Sequence, residues 1–381
     1  MSEEFRLPIP DDFHVHLRQG AMLQGVLPYT TTSFRRALIM PNTEPPVLTA
    51  QGLMRYRQEI LASARASGHD RFMPLMTIQI TENTTPETIR AAKAAGAIAG
   101  KLYPQGVTTN SNNGVLELDR LFPVFEVMAD PEIGMVLCIH AQEPWTDHNR
   151  PIVSLEEMIE RNKQQKDAIP QIQVLGSEAE FLNRVEALAH HLPKLKIVIE
   201  HMSTRHALQM TSDHENLAGT LTLHHLLLSL DDLIGWRGSN GHTGLNPDHF
   251  CQPVVQSIPE RESLLHAARG DNTRIFLGSD SAPHTRERKK GDCGCAGIFS
   301  APVLLPALVQ LFESHNSLNK LAGFASTKGA DFYGLPPNEG EVILRKVPWR
   351  VPEDISIPGV GTVKPFLAGI ELAWQVVGFS E

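Results

Sequence analysis

His14 and His16 are separated by a single residue in IPDDFHVHLR, and Arg18 follows two positions later. On a β-strand, side chains two apart share a face, so these three would project together while Val15 and Leu17 point the other way. Neutral imidazole is the usual nitrogen donor to zinc, which makes the pair a candidate half of a metal site. An exposed edge strand with a chance pair of histidines would read the same way. Two ligands do not make a site, so the rest of the chain has to decide.

Stepping along the sequence, eight apolar runs of strand length recur: the HVHL run, ALIMPN, MPLMTIQI, AIAGKLYP, MVLCIHAQ, KIVIEHMS, GTLTLHHLLL and RIFLGSDSAPH. Helical stretches such as Thr49–Ser67, Pro86–Ala95 and Glu178–His191 fall between them, which predicts repeated βα units and a parallel sheet. Eight is the number that closes a (β/α)8 TIM barrel. Six of the eight runs end on a residue able to do chemistry: His14 with His16, Asn42, Lys101, His140, His201, and Asp280 with His284. Barrel enzymes carry their chemistry at the carboxyl ends of the strands, so these residues are expected to meet in one site.

Lys101 poses a charge problem, because an ordinary ammonium would repel a metal cluster. It either binds an anionic substrate or reacts as a neutral amine with carbon dioxide to give a carbamate whose two oxygens can bridge two metals. A surface lysine at the start of an exposed loop is the plainer reading, and spacing does not choose among the three.

The chain has 381 residues, 41% hydrophobic and 20% charged, with a net charge of −9. Its basic residues are dispersed among more numerous acids, which argues against nucleic acid or an anionic membrane and for a small-molecule substrate. The N-terminus MSEEFRLPIPDDF has acids where a signal peptide has a basic region, so a cytoplasmic location is expected. The most apolar stretch, APVLLPALVQLF, is too short to cross a membrane and reads as core. Four cysteines, including the Cys293-Gly294-Cys295 pair, are too few for a disulfide framework, and a structural zinc on that pair lacks nearby ligands. The stretch between His140 and His201 is longer than one loop and helix require. Its charged middle, SLEEMIERNKQQKDAIPQ, predicts a solvated helical insertion at about 145–175. An extension at about 335–381, rich in proline, is expected to pack irregularly over the barrel within a single domain.

HVHLR, IMPNTEPP, KLYPQGVTTNSNNG, VIEHMST, LGSDSAPH, CGCAGIFSAP and VKPFLAGIELAW, in this order, resemble segments of the bacterial monofunctional dihydroorotases, a branch of the amidohydrolase superfamily. The similarity runs over nearly the whole chain. It implies a barrel of the metal-dependent amidohydrolase type and two Zn2+ per subunit. By this resemblance His14 and His16 bind one zinc, His140 and His201 the other, a carboxylated Lys101 bridges them, and Asp280 completes the first and serves as general base and acid. Arg18, Asn42 and His284 correspond to a clamp on the substrate carboxylate, helped by backbone around Ala296 and Gln252. Thr108 and Thr109 correspond to a loop that closes over substrate. Taken alone, Asn42 reads as a turn residue in PNTEPP and VTTNSNNG as a flexible polar loop.

The chain also departs from the pattern. After His140 it reads Ala141-Gln142-Glu143 where His-Gly-Glu is more common, and Gln252 stands where leucine is. The His224-His225 pair resembles an extra metal site but reads better as buried structural imidazoles. The activity implied is reversible cyclisation of N-carbamoyl-L-aspartate to dihydroorotate in pyrimidine synthesis, by a homodimer. A hydantoinase-like cyclic amidohydrolase and an inactive dihydroorotase-like structural partner are the alternatives. The carboxylate clamp argues against the first, and the complete ligand set against the second.

Overall fold

The computed structural model describes residues 3–144, 154–164, 174–237, 243–292 and 294–380. Strand β1 (Glu4–Pro8) precedes a run of parallel strands: β2 (Asp11–Val15), β3 (Arg36–Ile39), β4 (Met73–Ile80), β5 (Ala97–Leu102), β6 (Val136–Ile139), β7 (Ile197–Ile199) and β8 (Leu217–Leu221). A short hairpin, β9 (Trp236–Arg237) and β10 (Thr243–Gly244), comes before the last barrel strand, β11 (Ile275–Leu277). The parallel sheet runs in the order β11-β8-β7-β6-β5-β4-β3-β2. An isolated parallel bridge between Val15 and Ser281 joins its two edges, with the Asp280 amide donating to the His14 carbonyl at 2.8 Å and the His16 amide to the Ser281 carbonyl at 3.0 Å. This seam closes the ring of eight expected from the apolar runs.

The connecting helices form where the sequence caps them. Helix α1 (Gly20–Thr31) follows β2, and α2 (Ala50–Ala66) is opened by Thr49, whose side chain accepts from the Gly52 amide. Thr85 caps α3 (Pro86–Ala94) with a proline at its start, matching the predicted helix to within a residue. Helices α4 (Phe122–Ala129), α5 (Leu155–Gln164), α6 (Ser177–His191) and α7 (Arg205–Asp213) follow. Of the predicted insertion, α5 and residues 174–175 are described; 145–153 and 165–173 lie outside the described residues, as does Cys293.

Side chains inside the barrel fall into two layers. The lower one is apolar, with Phe13, Leu38, Leu75, Val136, Cys138, Val198, Ala218 and Phe276 in one cluster. Moving two residues along four of these strands, the inward positions become His140, Glu200, Thr220 and Gly278, as the period of two requires. Gly278 is needed there, since a Cβ would sit 2.8 Å from the Thr220 side chain and 3.0 Å from His14 Cβ. The opening motif is less regular than an ideal strand. The β2–β3 register shifts between Asp12 and Val15, so the consecutive Phe13 and His14 both serve the interior. The strand ends at Val15, and Arg18 has φ +60, so the shared face of His14, His16 and Arg18 comes from a bulge and a turn.

The C-terminal extension is more ordered than expected. Strands β12 (Glu341–Arg350) and β15 (Glu371–Ser380) pair antiparallel with each other and β12 with β1, while β13 (Ile355–Ile357) and β14 (Gly361–Val363) form a hairpin. Proline content is tolerated because Pro348 falls in a register shift between Lys346 and Trp349, beyond the reach of β1.

Candidate active site

The carboxyl ends of the strands bring five of the six expected ligands into measured contact. His16 Nε2 lies 3.0 Å and His14 Nε2 3.4 Å from Asp280 Oδ1, and one ligand atom from each of the three falls within 4.8 Å of the others. The His14 ring is 5.1 Å from that of His201, which is 4.6 Å from that of His140. Lys101 comes from β5 beside them, wholly buried, with Nζ 4.9 Å from the centre of the Tyr103 ring. His201 and Asp280 hold left-handed backbone conformations, φ +41 and +43, which are uncommon outside glycine and turn each side chain into the mouth.

Burial sets the protonation of this cluster. It lowers His16 to about 4 against the pull of Asp280, lowers His140 to about 3, and holds His201 far below the ordinary imidazole range. Those imidazoles are neutral at pH 7, as metal ligands must be. Burial pushes the Asp280 carboxyl upward, but the His16 hydrogen bond and the adjacent His14 outweigh it and keep it well below the usual carboxylate range. Burial also lowers the Lys101 amine, opposed by Glu200, Cys138 and Asp280. His14 Nε2, Lys101 Nζ and His201 Nδ1 are buried without a hydrogen-bond partner. Unpaired buried polar atoms are costly, and three in one cluster of nitrogen and carboxylate donors fit a metal centre.

Sequence reading missed the residues behind this cluster. Glu200 Oε2 accepts from His14 Nδ1 at 2.8 Å and from Thr220 Oγ1 at 2.7 Å, leaving His14 Nε2 to face the mouth. A carboxylate behind an imidazole fixes its tautomer and raises its basicity. Asp12 accepts from the Ser279 amide and hydroxyl and the His14 amide, tying the seam together. Glu178 accepts from the amides and hydroxyls of both Ser203 and Thr204, just after His201. Glu200 could have been found from the period of two starting at Val198; Glu178, on α6, carries no such signal.

The residues expected to form a clamp, Arg18, Asn42 and His284, line one cavity. Arg18 Nε donates to the Pro283 carbonyl at 3.1 Å, and Nη2 lies 3.0 Å from His284 Nε2, which is also 3.0 Å from the Ala296 carbonyl. A guanidinium only donates and a carbonyl only accepts, so that nitrogen can satisfy one neighbour at a time, in different tautomers. Asn42 Nδ2 donates to the Thr109 carbonyl at 3.1 Å, Asn110 Nδ2 to the Asn42 carbonyl at 3.2 Å, and Thr109 Oγ1 to the Ala296 carbonyl at 3.4 Å. The 105–114 loop therefore lies closed on the clamp, with Thr108 in its turn through the Ser111 hydroxyl. A cavity of about 230 Å³ lined by Arg18, Asn42, Asn110, His284 and Arg288 opens here. A larger one, about 470 Å³, lies against the base of the same loop, and neither cavity is lined by any of the expected metal ligands.

Relatives place this geometry. The dihydroorotase of Shewanella frigidimarina (strain NCIMB 400) is 41% identical over 375 residues, which span 98% of this chain and 99% of that protein. The chain belongs to the dihydroorotase family. The solved dihydroorotase of Saccharomyces cerevisiae, in complex with 5-fluoroorotic acid, is similar over 99% of both chains with a TM-score of 0.85 at 31% identity. An L-hydantoinase from Arthrobacter aurescens, at 16% identity and a TM-score of 0.74, shares the fold. No family model matches the chain.

As a member of the dihydroorotase family, the chain is a cyclic-amide hydrolase of the metal-dependent amidohydrolase type. Gln142 and Gln252 are in hydrogen-bond contact. His224 and His225 lie on a short helix, α8 (Leu223–Leu227), after β8 and not on the strand itself. With Cys251 they form a buried group in which Thr222 Oγ1 and the Pro253 carbonyl occupy both nitrogens of His225, while both nitrogens of His224 are buried without a hydrogen-bond partner. Among the described residues no helix is long and apolar enough to cross a membrane.

Proposed function

We propose that this chain interconverts N-carbamoyl-L-aspartate and dihydroorotate, the cyclisation step of pyrimidine synthesis, using two zinc ions. The observation that carries the reading is the placement of Arg18, Asn42 and His284 around one cavity, with Arg18 and His284 on the same segments, after β2 and β11, that carry His16 and Asp280. A ring bearing a carboxylate suits this arrangement, because the anion accepts from Arg18 and frees His284 from serving two neighbours at once. An uncharged hydantoin ring would leave the half-buried guanidinium without an anionic partner.

His14, His16 and Asp280 would hold one zinc and His140 and His201 the other. Lys101 would bridge the two after its neutral amine adds to carbon dioxide, forming a carbamate and releasing a proton; burial of the side chain favours that neutral amine. When bound, the metals supply Lewis acidity and lower the pKa of water so that it is nucleophilic at neutral pH. Asp280 takes a proton from the attacking water and returns one to the departing ring nitrogen, and its depressed pKa keeps it ready as a base. Arg18 and Asn42 orient the ring through its carboxylate, backbone at Gln252 and Ala296 completes the polar rim, and Thr108 and Thr109 close over it to exclude water. The enzyme acts as a single domain in a cytoplasmic homodimer on a free small molecule.

The test is metal analysis of the purified chain combined with dihydroorotate hydrolysis, with dihydrouracil as the uncharged control. Two zinc ions per chain and strong preference for dihydroorotate are expected. A metal-free active chain, or equal turnover of the two rings, overturns the reading.

A further inference from the structure

Gln142 and Gln252 are in contact with each other, and Gln142 with a candidate metal ligand. His140 Nε2 lies 2.9 Å from Gln142 Oε1, and Gln142 Nε2 donates to Gln252 Oε1 at 2.9 Å. The segment that carries Gln142 is held firmly: the Gln142 amide donates to the His140 carbonyl at 3.0 Å, the Glu143 amide to the Ser177 carbonyl at 2.9 Å, and Glu143 Oε1 accepts from Arg184 Nη2 at 2.6 Å. Gln142 is itself buried.

We propose that Gln142 and Gln252 form a positioning relay that fixes the tautomer and orientation of His140 and couples it to the loop bearing Gln252. The direction of the hydrogen bonds makes the argument. With Gln142 Oε1 facing the ring, Nε2 of His140 carries the proton, and Nδ1 keeps the lone pair a metal needs. Turning the Gln142 amide over alone would set its oxygen against Gln252 Oε1, two acceptors face to face, so the two amides reverse together or not at all. Gln252 thereby makes reversal of Gln142 a two-amide event, and Gln142 biases His140. Partners behind a ligating histidine act in this way, orienting the ring and tuning its affinity. A side chain without an amide at 252 could not hold the Gln142 amide, and one without an acceptor at 142 could not pair with the ring. Neither glutamine is a ligand or touches the reacting atoms in this scheme.

The relay rests on the proposed second metal, so the test separates the two. Selective 15N-histidine NMR of the metal-free chain reads the His140 tautomer without any metal. The Nε2–H form is expected in the wild type and a mixture in Gln142→Leu. Titration of the full-length, metal-loaded protein with a chelator reads affinity, with metal content measured alongside. Gln142→Leu is expected to release the His140-bound metal at a chelator concentration 10- to 100-fold lower, following the usual loss when such a partner is removed. Gln142→Glu keeps an acceptor facing Nε2 and should retain the metal. Gln252→Leu should give a smaller loss, and the double variant Gln142→Leu/Gln252→Leu should be no worse than Gln142→Leu alone. If Gln142→Leu fails to fold, the comparison of Gln142→Glu with Gln252→Leu still decides. An unchanged tautomer and unchanged release, or Gln142→Glu as defective as Gln142→Leu, overturns the relay. A wild-type chain with no second metal overturns the functional reading, while the tautomer measurement stands apart.

Discussion

Replacing Arg18 by methionine isolates the carboxylate clamp. The side chain is half-buried at the clamp cavity, and its five N–H donors include one to Pro283 and one aimed at His284. The remaining donors are the ones available to a substrate carboxylate. Methionine fills a similar volume and is no more strained than arginine at φ +60, since neither is glycine, so the backbone term largely cancels. What is lost is the charged partner of a buried anion, on the order of 2–5 kcal/mol. At about 1.4 kcal/mol per decade, kcat/KM for dihydroorotate should fall roughly thirtyfold to several-thousandfold. Because Arg18 is not a ligand, the metal content measured by atomic spectroscopy should not change. The assay is ring hydrolysis of dihydroorotate and dihydrouracil side by side. The wild type should reject dihydrouracil, which leaves the clamp unpaired, and the variant should discriminate far less. If Arg18→Met lowers both substrates equally, or if the wild type hydrolyses dihydrouracil as well as dihydroorotate, the clamp does not set specificity.

Three further outcomes are expected. Lys101→Ala should lose metal and turnover together, with partial recovery of both on adding a small carboxylate; full activity with two metals bound would rule out a bridging role. Thr109→Gly, or deletion of the tip of the 105–114 loop, should reduce kcat while metal content stays constant, because the loop closes through Asn42, Asn110 and Ala296; an equally active deletion would reduce the loop to a connector. Burial raises the Glu178 carboxyl to about 7, so the folded state binds its proton more tightly than the unfolded chain does. Its stabilising contribution is therefore greatest below the unfolded value of about 4.3 and is lost as pH rises through 7, on the order of 3–4 kcal/mol. Glu178→Gln has no such proton, so urea denaturation should show its stability relative to wild type increasing between pH 5 and 8; a pH-independent difference would contradict the shift.

Several features were legible before any coordinates. Eight apolar runs announced the barrel, because a fully enclosed parallel strand needs apolar residues on both faces. The helical stretches at Thr49–Ser67 and Pro86–Ala95 were legible too, and the structure shows Thr49 and Thr85 capping them. His14, Lys101, His140, His201 and Asp280 could be chosen because each ends such a run. The C-terminal strands were misjudged since Pro348 reads as a breaker unless its place in a register shift is known.

The sequence by itself determined the chemistry available: which imidazoles, which carboxylate and which buried amine stand at strand ends, and hence the family. Those facts are local, set by residue type and by a period of two along each strand. Tertiary structure decided which groups share a proton or a charge. Glu200 stands behind His14 across two strands, Glu178 reaches from α6 to the turn after His201, and Gln142 meets Gln252 from 110 residues away in the chain. It also decided that His201 and Asp280 adopt φ values no propensity favours. Hydrogen bonding and burial act through space, and only closure of the barrel brings those partners within reach of one another.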